Sequence, residues 1–246
     1  MCRIILALGK FELAPLIASL QLMAQDQNSL HELNQRKGWG TFQHPDGWGL
    51  AYLKDQQWQI NKSTQPIFQD ETINQFKNLQ TNFALLHTRK ATVGEITLKN
   101  THPFQKEDFI FCHNGHSRDQ FEIHKNFPLQ GDTDSERIFC DILSQLKEKA
   151  IPHAIRTTFH RYPYCKGAVI ILSNPETTWI AIRENVFPKY YCLYLAKTED
   201  SLILSSEIPK NLPKLNWQSL EQNTILEINN RTLTIINHKP AQTYKV

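Results

Sequence analysis

The sequence predicts a single α+β domain, residues 1–246, built on large antiparallel sheets, and three observations carry that expectation. In the last third, strand-like segments follow one another closely: GAVIILS, TWIAIRE, YYCLYLA, SLILSSE, TILEINN and TLTIIN, separated by turns such as Ser173-Asn174-Pro175. Helical spacing is confined to a few stretches, and no internal repeat, low-complexity tract or linker-like Pro/Gly/Ser run divides the chain. With 246 residues, 40% of them hydrophobic and 10% aromatic, there is ample material for a sizeable core.

Each element has a local reason. Residues 2–8 are largely aliphatic and β-branched, as in a strand buried on both faces. Residues 14–33 read as helix, Leu16, Ile17, Leu20 and Met23 forming an apolar stripe that fades toward the polar second half. KGWGTFQHPDGWGLAYL is a Gly-rich turn entering a strand at 48–53, with WQINKS as its hairpin partner. A short helix is expected at 71–79 and strands at 83–87 and 109–112. After the loop PLQGDTDSE, the residues Ile138, Ile142 and Leu146, flanked by Phe139 and Leu143, give the clearest helix, 135–149, and another follows at 151–159. The periodicity is equally compatible with helices on one face of the sheets or on both.

Composition narrows the function. The net charge is only +3, and lysines and arginines are interspersed with acids, which argues against a nucleic-acid or membrane-surface protein and for small-molecule or protein partners. Five cysteines (Cys2, Cys112, Cys140, Cys165, Cys192), odd in number and without a C-x-x-C pair, fit neither a disulfide framework nor a cysteine zinc cluster. The apolar run at 4–8 is too short for a signal-peptide core, and no stretch approaches the ~20 apolar residues of a membrane span. A cytoplasmic protein is expected.

Polar groups gather in four places against strands: Cys2, HPDGWG (44–49), HTRKAT with THPF (87–92 and 101–104), and CHNGH followed by GDTDSE (112–116 and 131–136). Cysteine is a common strand filler. Removal of Met1, however, would leave Cys2 carrying both a thiol and a free α-amine. Free cysteine, with a pKa of about 8.5, is only slightly ionised at neutral pH, whereas an α-amine at about 7.7–8.0 is partly neutral and can take the thiol proton. Asn114-Gly115, after the strand FIFCH, offers a side-chain amide beside a backbone N–H, two donors suited to a developing oxyanion. The same dipeptide is also a common hairpin turn.

Cys2 behind Met1, then DGWG, HTR-x-AT, HNG and TDSE in this order resembles the class II glutamine amidotransferases, which belong to the N-terminal-nucleophile hydrolases. The likeness is greatest to stand-alone members acting on γ-glutamyl compounds, and it covers roughly residues 1–140. The resemblance implies a four-layer αββα sandwich with antiparallel sheets. It also implies cleavage of the γ-amide of glutamine or a γ-glutamyl compound through a γ-glutamyl thioester on Cys2, after Met1 is removed.

Further roles come with it. Asn114 and Gly115 would form the oxyanion hole; Arg89 would grip the substrate α-carboxylate and Asp134 receive the α-ammonium. Thr133-Asp134-Ser135-Glu136 also reads as a capping box, and both roles are compatible. Thr92, His102 and His113 would line or brace the pocket, as would His87 and the turn at 46–49. Lys90 stands where synthase-linked relatives commonly have tryptophan. No synthase domain follows, so a synthase using the ammonia would be a separate subunit. Neither cofactor nor metal is expected.

Two other classes compete. His44, His87, His102, His113 and His116 crowd near Cys112 and Asp46, which suits a zinc hydrolase, although H-E-x-x-H is missing. A regulator that kept the fold without turnover would not need the full set of catalytic groups that this sequence carries.

Overall fold

The computed structural model describes residues 2–29, 33, 41–183, 185–212 and 215–238. Among them lie β1 (Cys2–Gly9), α1 (Leu13–Ala24), β2 (Trp48–Lys54), β3 (Gln57–Ser63), β4 (Phe83–Arg89), β5 (Phe104–Lys106) and β6 (Phe109–Ser117). There follow α2 (Asp134–Ser144), α3 (Ile151–Arg161), β7 (Cys165–Ser173), β8 (Thr177–Ile182), β9 (Tyr194–Lys197), β10 (Ser201–Ser205), β11 (Trp217–Ser219), β12 (Thr224–Asn229) and β13 (Ile235–Asn237).

Two sheets form, one in the order β11-β9-β10-β1-β4-β2-β3 and the other β13-β12-β8-β7-β6-β5. Their pairings are antiparallel, as between β1 and β4 or β6 and β7. The strand alternation sorts the apolar residues into layers. Ile4, Leu6, Leu8, Phe83 and Leu85 from the first sheet meet Cys112, Val169, Ile171 and Ile180 from the second in a shared core. On the outer face of the first sheet, Ile5, Ala7 and Leu86 pack against Leu16, Ile17 and Leu20 of α1. Phe111, Ile170 and Leu172, on the outer face of the second, meet Phe139 and Ile142 of α2 and Ile155 of α3. Helices therefore cover both outer faces, and the four-layer αββα expectation holds.

Several expected elements are trimmed or extended. α1 stops at Ala24, where the apolar stripe ends and Asp26 adopts a positive φ; residues 30–32 of the expected continuation lie outside the described residues. The 71–79 helix is a shorter 3-10 segment, Glu71–Phe76, started by Asp70, which accepts from the Thr72 amide. In YYCLYLA only the last residues join a strand; Tyr190, Tyr191 and Cys192 are buried in the preceding loop. The β2–β3 hairpin turns on Asp55-Gln56, both at positive φ, the geometry that matches the twist of the flanking strands.

One correction bears on the site. The turn reading of HNGH fails, because β6 runs on through Ser117, with Asn114, Gly115 and His116 paired to Val169, Ala168 and Gly167 of β7. The partner strand is long enough to keep the Asn-Gly pair in the ladder. Among the described residues, no helix is long and apolar enough to cross a membrane.

Candidate active site

Cys2 begins β1 and sits opposite Arg89 at the end of β4. Arg89 directs its own N–H and C=O to the Gly47 carbonyl and the Asp46 amide on the other side. Cys2 and Arg89 therefore form a pair without mutual backbone hydrogen bonds, the kind in which side chains approach most closely and share a face. The Cys2 backbone N, turned away from β4, donates to Asn114 Oδ1 at 2.8 Å across the gap between the sheets. Asn114 Nδ2 is fully buried and has no hydrogen-bond partner, a costly condition for an amide.

Gly115 contributes by direction. Opposite it, Ala168 sends its N–H to Asn185 Oδ1 and its C=O to the Arg183 amide, both on the β8 side. In an antiparallel ladder, the residue facing Ala168 must then turn its own N–H away from β7. A Cβ on Gly115 would come within 2.0 Å of His113 Nε2 and 1.9 Å of the Gly167 carbonyl, so this position tolerates only glycine. His113 projects toward α2, where its Nδ1 pairs with Ser135 Oγ at 2.9 Å. Burial lowers its pKa to about 4, partly opposed by the Asp134 carboxylate and the Gly167 carbonyl. It braces the helix start from behind Asn114.

Arg89 is buried, and its guanidinium donates to the carbonyls of Glu95, Val93 and Gly94 at 2.9, 2.9 and 3.3 Å. Those bonds use three of its five donors. The same Glu95 carbonyl accepts from Asn100 Nδ2, and Asn100 Oδ1 accepts from the Asp132 amide at 3.0 Å. This one buried asparagine thus ties the loop that holds Arg89 to the loop that leads into Asp134. A Cβ on Gly131 would come within 2.0 Å of Asn100 Oδ1, so the contact depends on that glycine.

Asp134 opens α2. Its Oδ2 accepts from the Ser117 amide at 2.7 Å and its Oδ1 from the Ser135 amide at 2.9 Å, so the carboxylate is fixed at a helix N-terminus, where negative charge is favoured. Only half of the expected capping box forms. Thr133 Oγ1 accepts from the Glu136 amide, but Glu136 turns to the Gln130 and Gly131 amides and to Lys106 Nζ at 2.9 Å. Lys106 offers a better partner for a buried carboxylate than a lone backbone N–H.

His87 of β4 and His102 lie beside Cys2, their rings 4.3 Å apart between centroids. Gly49 faces His87 across the sheet, and a Cβ there would strike the His102 carbonyl at 2.0 Å; the DGWG glycine thus admits the THPF segment. Burial, with nearby Arg89 and Lys62, pushes both imidazoles well below the ordinary histidine range. Asp46 Oδ2 accepts from the Ala91 amide and fixes the end of HTR. Thr92, by contrast, is exposed on the loop after β4 and is not gathered with the buried group. Lys90 Nζ lies 4.9 Å from the centroid of the Phe42 ring.

Three features escaped the sequence reading. Arg3, fully buried, pairs through Nε with Glu207 Oε1 at 2.6 Å and lies over the Tyr190 ring, anchoring β1 next to Cys2. Tyr191 covers Gly167, where a Cβ would come within 2.4 Å of its ring. Burial first, then the charges of Cys2 and Cys165, push the Tyr191 hydroxyl's pKa up, Asp134 adding to them. Asn185 joins the Ala168 amide to the Tyr191 carbonyl. A charge inside an apolar strand signals that Arg3 needs a buried partner; nothing local says that Glu207 supplies it.

Residues 18–162 match the family model described as glutamine amidotransferases class-II. The chain belongs to the class-II glutamine amidotransferases. It is 31% identical over 121 residues to YafJ of Escherichia coli (strain K12), covering 46% of this chain and 48% of that protein. It is 32% identical over 111 residues to the glutamine–fructose-6-phosphate aminotransferase (isomerizing) of Bartonella henselae, covering 43% of this chain and 18% of that enzyme. The aligned part thus spans less than half the length of these curated relatives. Among solved structures, the glutamine phosphoribosylpyrophosphate amidotransferase of B. subtilis superposes with a TM-score of 0.67 at 14% identity, covering 98% of this chain and 50% of that one. A glutamine aminotransferase class-II domain protein from Silicibacter pomeroyi gives 0.64 at 17%, covering 98% and 100%. At these identities the likeness is one of fold.

Proposed function

We propose that this chain is a cysteine-dependent amidohydrolase that cleaves the γ-amide of glutamine, or of a γ-glutamyl compound, through a γ-glutamyl thioester on Cys2. The observation that carries the proposal is Asn114, whose Oδ1 accepts from the Cys2 backbone N while its Nδ2 stays buried and unpartnered. An amide that orients the nucleophile's nitrogen with one end and keeps a free donor at the other is preorganised for charge that develops only during reaction.

In this reading Met1 is removed and the Cys2 α-amine accepts the thiol proton, directly or through one water. The sulfur then attacks the substrate carbonyl, and the oxyanion is received by Asn114 Nδ2 and the Gly115 N–H. The amine returns the proton to the departing ammonia or amine; water, deprotonated by the same amine, hydrolyses the thioester and releases glutamate. Arg89 and Asp134 hold the α-carboxylate and α-ammonium. Burial supports the choice of sulfur, since it pushes the pKa of Cys112 well up and those of Cys140 and Cys165 to about 11, which keeps those thiols protonated and inert.

Ammonia release from glutamine and amine release from a panel of γ-glutamyl amides, with Cys2→Ala as control, test the proposal and choose between the substrates. Turnover that survives in Cys2→Ala would end it. A second reading, a glutaminase subunit feeding a separate synthase, draws on the synthase named among the relatives and predicts turnover of glutamine but not of bulkier γ-glutamyl amides.

A further inference from the structure

Cys2, His87 and His102 form a cluster that the hydrolytic mechanism does not fully use. The Cys2 sulfur and one ring nitrogen of each histidine lie within 4.8 Å of one another, and all three residues are buried. Neither nitrogen of His87 nor of His102 has a hydrogen-bond partner, so four buried polar atoms are left without one, a cost that native interiors rarely carry without a reason. We propose that Cys2, His87 and His102 form a binding site for a zinc ion that reversibly blocks the nucleophile.

One thiolate and two neutral imidazoles are a borderline-soft set suited to zinc, and three protein ligands leave a fourth position for water. Tetrahedral ligation needs the donor atoms to draw in by about an ångström, given metal–ligand distances of roughly 2.0–2.3 Å. Binding forms one Zn–S bond and two Zn–N bonds and sends the Cys2 thiol proton to solvent. The imidazoles need lose nothing, because burial already keeps them neutral. Arg89 and Lys62 nearby oppose a further cation, and the thiolate's charge offsets part of that repulsion. The other three-residue group of possible ligands, Glu122, His124 and Asp141, differs in that Asp141 already accepts from five side chains, among them Arg161 and Thr158.

Binding is a claim about geometry alone; the block on turnover rests on Cys2 being the nucleophile. Chelator-stripped protein titrated with zinc against a chromogenic competitor is expected to take up one ion per chain. Cobalt in place of zinc is expected to give a near-ultraviolet thiolate-to-cobalt charge-transfer band. Cys2→Ala, His87→Gln and His102→Gln are each expected to weaken zinc binding roughly a hundredfold or more, while His124→Gln leaves it unchanged. Circular dichroism of each variant separates a lost ligand from a lost fold, and Cys2→Ala, the smallest change, decides the matter if a histidine variant misfolds. Zinc that binds equally well to Cys2→Ala, or cobalt without the charge-transfer band, overturns the site. If zinc binds through Cys2 but the stripped enzyme releases no ammonia from glutamine or γ-glutamyl amides, the site stands and the catalytic reading falls. If the stripped enzyme turns over and zinc does not bind, the reverse holds; if both hold, added zinc is expected to abolish turnover and chelator to restore it.

Discussion

Two of the buried polar clusters, around Asp141 and around Cys2, are built on opposite principles. Around Asp141 in α2, His124, Arg161 and Tyr162 converge on Oδ1 while Thr158 and Gln145 converge on Oδ2. Around Cys2, the Asn114 Nδ2 and both nitrogens of His87 and His102 have no partner. A saturated carboxylate holds α2, α3 and the neighbouring loop together. A set of unspent donors and acceptors costs stability and is retained where something else is meant to occupy it. Polarity and burial alone would not tell the two apart; the hydrogen-bond inventory does.

Substitutions can sharpen that contrast or break it. The largest effect is expected at Cys2: Cys2→Ala should lower kcat by roughly 10^5-fold or more, with thermal unfolding little changed. Asp141→Ala should do the opposite, costing about 3 kcal/mol by stranding its buried donors and leaving the specific activity of the folded fraction near that of the parent. A denaturant titration paired with an ammonia assay reads both. Equal losses of stability in the two variants would erase the distinction.

Next comes Asn114→Asp, which keeps an acceptor for the Cys2 nitrogen and loses the Nδ2 donor. The expected loss is about 10^2–10^3-fold in kcat, with KM close to unchanged; an effect confined to KM would move Asn114 out of the oxyanion role. Arg89→Lys is expected to act the other way, raising KM for glutamine roughly 10–100-fold through loss of charge-assisted hydrogen bonds. The kcat/KM ratio measured with a substrate lacking the α-carboxylate should barely respond.

The smallest effect is in pH. His113 is held near a pKa of about 4 in the folded protein, below its value of about 6.5 in the unfolded chain. The unfolded state therefore binds more protons on acidification, and stability falls as pH drops from about 6.5 toward 4. By pH 5 the loss from this residue is about 2 kcal/mol. His113→Gln should flatten that part of the stability–pH curve, and an unchanged slope would show that another group carries it.

How much of this was legible beforehand follows from how local each cause is. β1, the β2–β3 hairpin and α3 are written in apolar spacing and turn residues within a few positions of each other, so they read correctly to within a few residues; α2 starts as expected but ends at Ser144, so the expected last turn, 145–149, is not helical. The site motifs were legible as short strings; in the structure the antiparallel register sets Cys2 opposite Arg89, and the Cys2 nitrogen donates to Asn114 Oδ1. Other features depend on partners distant along the chain. Arg3 finds Glu207, and the Ile4 amide donates to Ser206 Oγ. The continuation of β6 through Asn114-Gly115 depends on the length of β7, and a turn-forming dipeptide alone argues for the opposite. Glu136 left its capping role because Lys106 of β5 came within reach, again a long-range fact. Thr92 matched a motif and yet lies exposed, since its loop is held by backbone carbonyls facing Arg89 rather than by its own side chain.

The most direct test of the central claim is covalent. Treat active protein with a glutamine-mimicking diazoketone and locate the adduct by peptide mass spectrometry. The account predicts one adduct per chain, on the sulfur of a peptide that begins at Cys2 with Met1 gone. Labelling of Cys112, Cys140, Cys165 or Cys192, or of a peptide that still carries Met1, would contradict it.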